Sequence, residues 1–161
     1  MFSYTYGCFR LVHLAVQLTL GIQGTPVRLT SVDRRTSIEI SQAKRGGVHA
    51  PYTMRVESAA GGFVGQNDSV HFMDIDGFNA AMKAFLNTRQ GSVTLRASDD
   101  CELEFFRWNT KGDVGVRYVI GTQFMEGEAT EYSSIALSGT SRLPGEFAEQ
   151  MAAQLLETLN A

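Results

Sequence analysis

Two acidic runs hold the side chains best suited to chemistry in this sequence. They are Asp74-Ile75-Asp76, and Asp99-Asp100 followed by Glu102 and Glu104. Paired carboxylates can hold a divalent cation or divide general-acid and general-base work between them. Neither run has the company such chemistry requires. Asp76 is placed to cap a following helix, its carboxylate accepting from first-turn N–H groups, and no further oxygen ligands stand at useful spacing. Asp99 and Asp100 read as a turn, with Glu102 and Glu104 on the solvated face of the next strand. His13, His49 and His71 neither cluster nor stand beside a cysteine at metal-ligand spacing. His71, beside Phe72 in an expected strand, reads as a hydrogen-bonded structural residue. Cys101 follows two aspartates, whose charge raises a thiol's pKa and opposes a nucleophilic thiolate. No serine occupies a Gly-x-Ser-x-Gly elbow. The expectation is a chain that is not an enzyme, with no catalytic residue, metal or cofactor.

The stretch Gly61-Gly62-Phe63-Val64-Gly65-Gln66-Asn67-Asp68 invites a phosphate-loop reading. A phosphate loop needs Gly-x-x-x-x-Gly-Lys-Ser/Thr, and a dinucleotide fingerprint needs Gly-x-Gly-x-x-Gly opening a helix. Neither spacing is present, no lysine follows, and the stretch leads into a strand, so the field of a helix N-terminus is missing. It reads instead as a bulge or tight connection needing positive φ at one or two positions, with Phe63 burying its ring to anchor the bend.

The elements that must position these residues follow from patterning. At 161 residues, with 43% hydrophobic and 19% charged residues, the chain suits one ordered domain with a sizeable core. A net charge of −3 places nucleic-acid binding at a disadvantage, because duplex binders carry basic excess. Cys8 and Cys101 make no disulfide framework, which points to a reducing, cytoplasmic setting. The apolar run 11–20 is interrupted by His13 and Gln17, lacks a clean cleavage pattern, and is too short to span a membrane. No membrane association is expected, and residues 1–26 read as an N-terminal extension or extra strand before a single domain over 27–161.

Alternation over 27–32, 37–41 and 52–58 predicts three half-buried strands, with Tyr52, Met54 and Val56 on one face, and a fourth resumes over 69–73. Phe78, Ala81, Met82, Phe85 and Leu86 then form a helical stripe. Strands over 92–97, 102–108 and 114–120 follow, with 109–113 as a hairpin turn and a weaker strand over 130–137. Phe147, Met151, Leu155 and Leu159 recur every fourth residue, with Pro144 suited to the first turn of that helix. The fold class is therefore α+β, a largely antiparallel sheet of about eight strands with two packed helices, 76–89 and 144–159.

In the hairpin, Leu103 and Phe105 share the core face with Val116, Tyr118 and Ile120. Alternation places Glu102, Glu104, Phe106 and Trp108 with Arg117 on the opposite face, whatever the even register of the turn. Trp, Phe and Arg together are the residue types that dominate interface energetics. These five residues are the candidate partner-binding face, unless a second layer covers them.

One resemblance joins these pieces. Tyr52 to Glu57 leads into Gly62-Phe63-Val64-Gly65-Gln66-Asn67-Asp68-Ser69-Val70-His71-Phe72. The 78–86 helix, Gly91 to Leu95, Glu102 to Phe105 and Lys111 to Val116 follow. This succession resembles the small bacterial WapI-like immunity proteins and related uncharacterised domains. The resemblance spans roughly residues 27 to 159 and rests on turns and core positions. It implies binding and neutralising a toxin in the producing cell without catalysis, and carries no site residues across. The competing expectations are a small-molecule-binding or enzymatic domain with a cleft between sheet and helix, and a homodimer-forming module.

Overall fold

The computed structural model describes residues 26–42, 51–125, 132–145 and 148–160. The N-terminal extension up to residue 25, residues 43–50, the first two residues of the strand expected over 130–137, and Phe147 of the expected second helix lie outside the described residues. Four strands, β1 (Val27–Thr30), β2 (Thr36–Gln42), β3 (Tyr52–Ser58) and β4 (Phe63–Val70), pair antiparallel in chain order. Helix α1 (Ile75–Thr88) follows. The arrangement then repeats: β5 (Ser92–Arg96), β6 (Glu102–Arg107), β7 (Val114–Met125) and β8 (Tyr132–Arg142) form a second antiparallel sheet, and α2 (Ala148–Leu159) closes it. The expected eight strands and two helices are all present, divided between two four-stranded sheets.

Strict alternation builds the core. Ile38 pairs with Val56 and Ile40 with Met54, all fully buried, while their neighbours Glu39 and Arg55 pair on the other face. In the second sheet Val93, Leu95, Leu103, Phe105, Val116 and Tyr118 are buried in the same way. Burying one such side chain stabilises by about 1.5–3 kcal/mol relative to leaving it in water. Each helix lies against the other half's sheet. From α1, Phe78, Met82 and Phe85 are buried; the helix packs on β5, and the Phe78 and Phe105 ring centroids are 6.2 Å apart. Helix α2 packs on β1 and β2 through a buried line that includes Ala148, Ala152, Leu155 and Leu159. The Tyr52 hydroxyl donates to the Leu159 carbonyl at 3.3 Å, tying the end of α2 to β3. The two sheets meet where β4 crosses β7.

Four expectations are corrected, for Asp76, Pro144, Phe63 and the strand over 69–73, which is β4 at Phe63–Val70; the glycine stretch holds the tight, positive-φ connection expected. Asp76 is not the cap of α1. Asp74 is, in left-handed backbone with φ 50°, and its carboxylate accepts from the Gly77 N–H at 3.1 Å; Asp76 lies within the first turn. The helix starts one turn-residue earlier because Gly77, lacking a Cβ, lets that carboxylate fold in close. Pro144 lies before α2, in the link from β8, and does not sit in the helix's first turn. The glycine stretch is a hairpin connection and a strand, with Ala59 to Gly62 turning and β4 beginning at Phe63. Gly62 alone of its three glycines has positive φ, at 66°. Phe63 does not anchor a bend, because it is 61% exposed. Gly65 serves packing: a Cβ there would lie 2.8 Å from the Leu137 side chain on β8.

Candidate interaction face

The face carrying Glu102, Glu104, Phe106, Trp108 and Arg117 is built by the registry of three strands. Glu104 pairs with Thr94 on one side and Arg117 on the other, and Phe106 pairs with Ser92 and Gly115. Cross-strand neighbours on one face approach closely enough for their side chains to interact. Arg117 accordingly forms an ion pair with Glu104, while Glu102 stands 3.6 Å from the guanidinium of Arg96. Exposed pairs of this kind contribute little to stability, about 0–1 kcal/mol. The Glu104 pair sets the position of the Arg117 side chain.

Gly115 explains how two aromatic rings sit together on an open sheet. Its missing side chain leaves a floor onto which both rings descend. A Cβ at that position would stand 2.7 Å from Phe106 Cζ and 2.7 Å from Trp108 Cε3. The rings have centroids 5.9 Å apart and are inclined by 31°. The Arg117 guanidinium lies 5.4 Å from the centre of the Phe106 ring, within cation–π range. Trp108 stands just past the end of β6, where its backbone N–H donates to the Asp113 carbonyl at 2.7 Å. The turn beneath it is a hairpin as expected, with Gly112 at φ 88° and the Asn109 side chain accepting from the Lys111 and Asp113 N–H groups. Phe106 is half-buried and Trp108 is 41% exposed. Both helices lie on the core side of the sheets, so among the described residues no second layer covers this face.

No family model, curated protein or solved structure matches the chain. The reading of the site rests on its own chemistry.

Elsewhere the chemistry-bearing residues are accounted for structurally. Cys101 is a free, buried thiol. Burial above all, and secondarily the charges of Asp99 and Asp100, push its pKa up; the sequence suggested the aspartates and missed the larger cause. Its sulfur lies 3.4 Å from the Gly121 carbonyl and 3.8 Å from the Asn67 amide. Asp99 and Asp100 do form a turn, both with left-handed backbone, between β5 and β6. His71 is exposed, and its described hydrogen bonds run through its backbone to Ser98, so it is not the hydrogen-bonded side chain expected. Among the described residues no three His, Cys, Asp or Glu side chains gather as a metal site. No described helix is long and apolar enough to cross a membrane.

Trp108 also borders a shallow groove of about 320 Å³ shared with Ser31, Asp33, Thr140 and Arg142. That groove adjoins a larger cleft of about 860 Å³, where Arg28, Arg34, Arg35 and Arg142 meet. Reading the sequence missed this cluster. Only Arg34-Arg35 are adjacent in the chain, and the cleft forms because the Val32 N–H donates to the Arg142 carbonyl at 2.9 Å, joining the β1–β2 turn to the end of β8.

Proposed function

We propose that this chain is a non-enzymatic protein-binding domain of the immunity type, which neutralises a cognate toxin by docking on it through the Phe106–Trp108–Arg117 face. The observation that carries this reading is the aromatic pair of half-buried Phe106 and exposed Trp108, seated on Gly115 with a guanidinium over the Phe106 ring. Aromatic rings have only two rotatable side-chain bonds to fix on binding, and Trp and Arg are prominent among the residues that dominate interface energies where water is excluded. Glu102 and Glu104 rim the patch, each beside an arginine of the same sheet, which gives the aromatic pair a charged border. The resemblance of residues 27 to 159 to WapI-like immunity proteins supports the same reading. An interface of the standard size, about 1,600 Å² in total, would occlude a toxin's active site or lock its conformation.

The test is growth rescue. A toxic domain encoded beside this chain is co-expressed with the wild type, with Trp108→Ala, and with Arg117→Ala. The wild type restores growth and co-purifies with the toxin, and the variants lose both while keeping wild-type circular dichroism. Protection that survives both substitutions refutes this face as the interface.

A further inference from the structure

The arginine-lined cleft has a chemistry of its own. It lies between the β1–β2 turn and the link from β8 to α2, and its lining carries four guanidiniums against two carboxylates, Glu57 and Asp113. In a chain of net charge −3 this is a local positive excess. The two carboxylates neutralise their arginines weakly. Arg28 stands 3.8 Å from Glu57 and Arg142 stands 3.6 Å from Asp113, both beyond hydrogen-bond distance. Asp113 is already engaged, its carboxylate accepting from the Asn109 amide at 2.8 Å. Arg34 and Arg35 have no ion pair within 4.0 Å among the described residues, although both are exposed and line the cleft.

The turn that presents these two arginines is held firmly. The Asp33 carboxylate accepts from the Ser31 hydroxyl at 2.5 Å and from the Arg35 N–H at 3.0 Å. The Ser31 hydroxyl in turn accepts from the Thr36 N–H at 3.0 Å, and the Arg35 carbonyl accepts from Ala59 at 2.7 Å. Asp33, the nearest acid to Arg35, is thus occupied within the turn. Arg34 has left-handed backbone, φ 58°, a conformation that a long side chain adopts only when its surroundings impose it. Val32, Leu143, Pro144 and Met151 also line the cleft and give it apolar surface.

We propose that this cleft binds a small organic anion, with a phosphate or carboxylate head among Arg28, Arg34, Arg35 and Arg142 and an apolar body against Leu143, Pro144 and Met151. Planar guanidinium forks match both kinds of head in bidentate fashion. A volume of about 860 Å³ accommodates a ligand of that class. None of the five residues of the aromatic face lines this cleft, although the groove bordered by Trp108 adjoins it, and the proposal does not depend on partner binding.

Calorimetric titration of the full chain with phenyl phosphate and with phenylacetate tests the assignment and separates the two heads. Saturable binding of at least one probe is expected, weakened about tenfold or more in Arg34→Gln/Arg35→Gln and also in Arg142→Gln. Arg96→Gln, an exposed arginine on the far side of the second sheet, should bind like the wild type. The proposal is overturned if neither probe binds. It is equally overturned if Arg96→Gln weakens binding as much as the cleft variants do, which would mark general charge attraction.

Discussion

The side-chain amide of Asn67, on β4, donates to the backbone carbonyl of Gly121, on β7, across 2.8 Å. Asn67 is one of few buried polar side chains, and its own carbonyl accepts from the Ser69 N–H at 2.8 Å. Both ends of one amide are satisfied at the seam between the sheets. Asn67→Ala leaves the Gly121 carbonyl without that donor and should cost about 1–3 kcal/mol, read as a lower urea midpoint at unchanged slope.

A second seam contact is steric. Gly65 admits Leu137 at a distance that any Cβ would violate. Gly65→Val should therefore destabilise by about 1–3 kcal/mol through overpacking. Pairing it with Leu137→Ala should recover part of the loss. A double-mutant cycle showing no coupling would refute the contact's role.

The cap of α1 makes a third prediction. Asp74→Ala removes the acceptor for Gly77 and places alanine in left-handed backbone, so a loss of about 1–2 kcal/mol is expected. Asp76→Ala should cost less. The order of the two melting temperatures decides between them.

Alkaline pH should weaken the fold. Burial raises the pKa values of Cys101, Tyr52 and Tyr118 above their ordinary values of 9.0, 10.0 and 10.0. These groups are neutral when protonated, so between the unfolded and folded pKa values the unfolded chain holds fewer protons and stability falls with rising pH. Their contribution is fully present below pH 9.0 and lost as pH climbs through the raised values. Chemical denaturation from pH 7 to 11 measures this. A Cys101→Ala variant should flatten the early part of the decline.

Trp108 is the chain's single tryptophan and reports directly on the aromatic face. Phe106→Ala removes the neighbouring ring, so emission should shift to the red and acrylamide quenching should rise. Binding of a partner there should do the opposite.

The fold was legible where burial obeys a simple period. Tyr52, Met54 and Val56 alternate with Thr53, Arg55 and Glu57, and β3 spans the residues this pattern predicts. Phe78, Met82 and Phe85 mark α1 equally well, although Ala81 of the same stripe is exposed, because only the narrower line meets β5. The shared side of Phe106, Trp108 and Arg117 follows from parity alone. What could not be read were features created by distant segments meeting. Gly65 answers to Leu137 and Gly115 to the rings of Phe106 and Trp108. Neither glycine has positive φ, so a turn-based reading of glycine misplaces their purpose. The arginine cleft is of the same kind, since Arg142 joins Arg34 and Arg35 only through backbone contact between the β1–β2 turn and β8.

The exchange of helices between the two halves has a consequence for how the chain comes into being. During synthesis the first four strands emerge before α2, the helix that covers β1 and β2, has been made. The early half must wait, its apolar face uncovered, until α2 has left the ribosome. Expressed separately, residues 26–90 and 91–160 would each lack the helix that lies on its sheet, and mixing them should restore structure that neither shows alone. Acquisition of structure should be a single all-or-none event, and loss of α2 should unfold the first sheet as surely as the second.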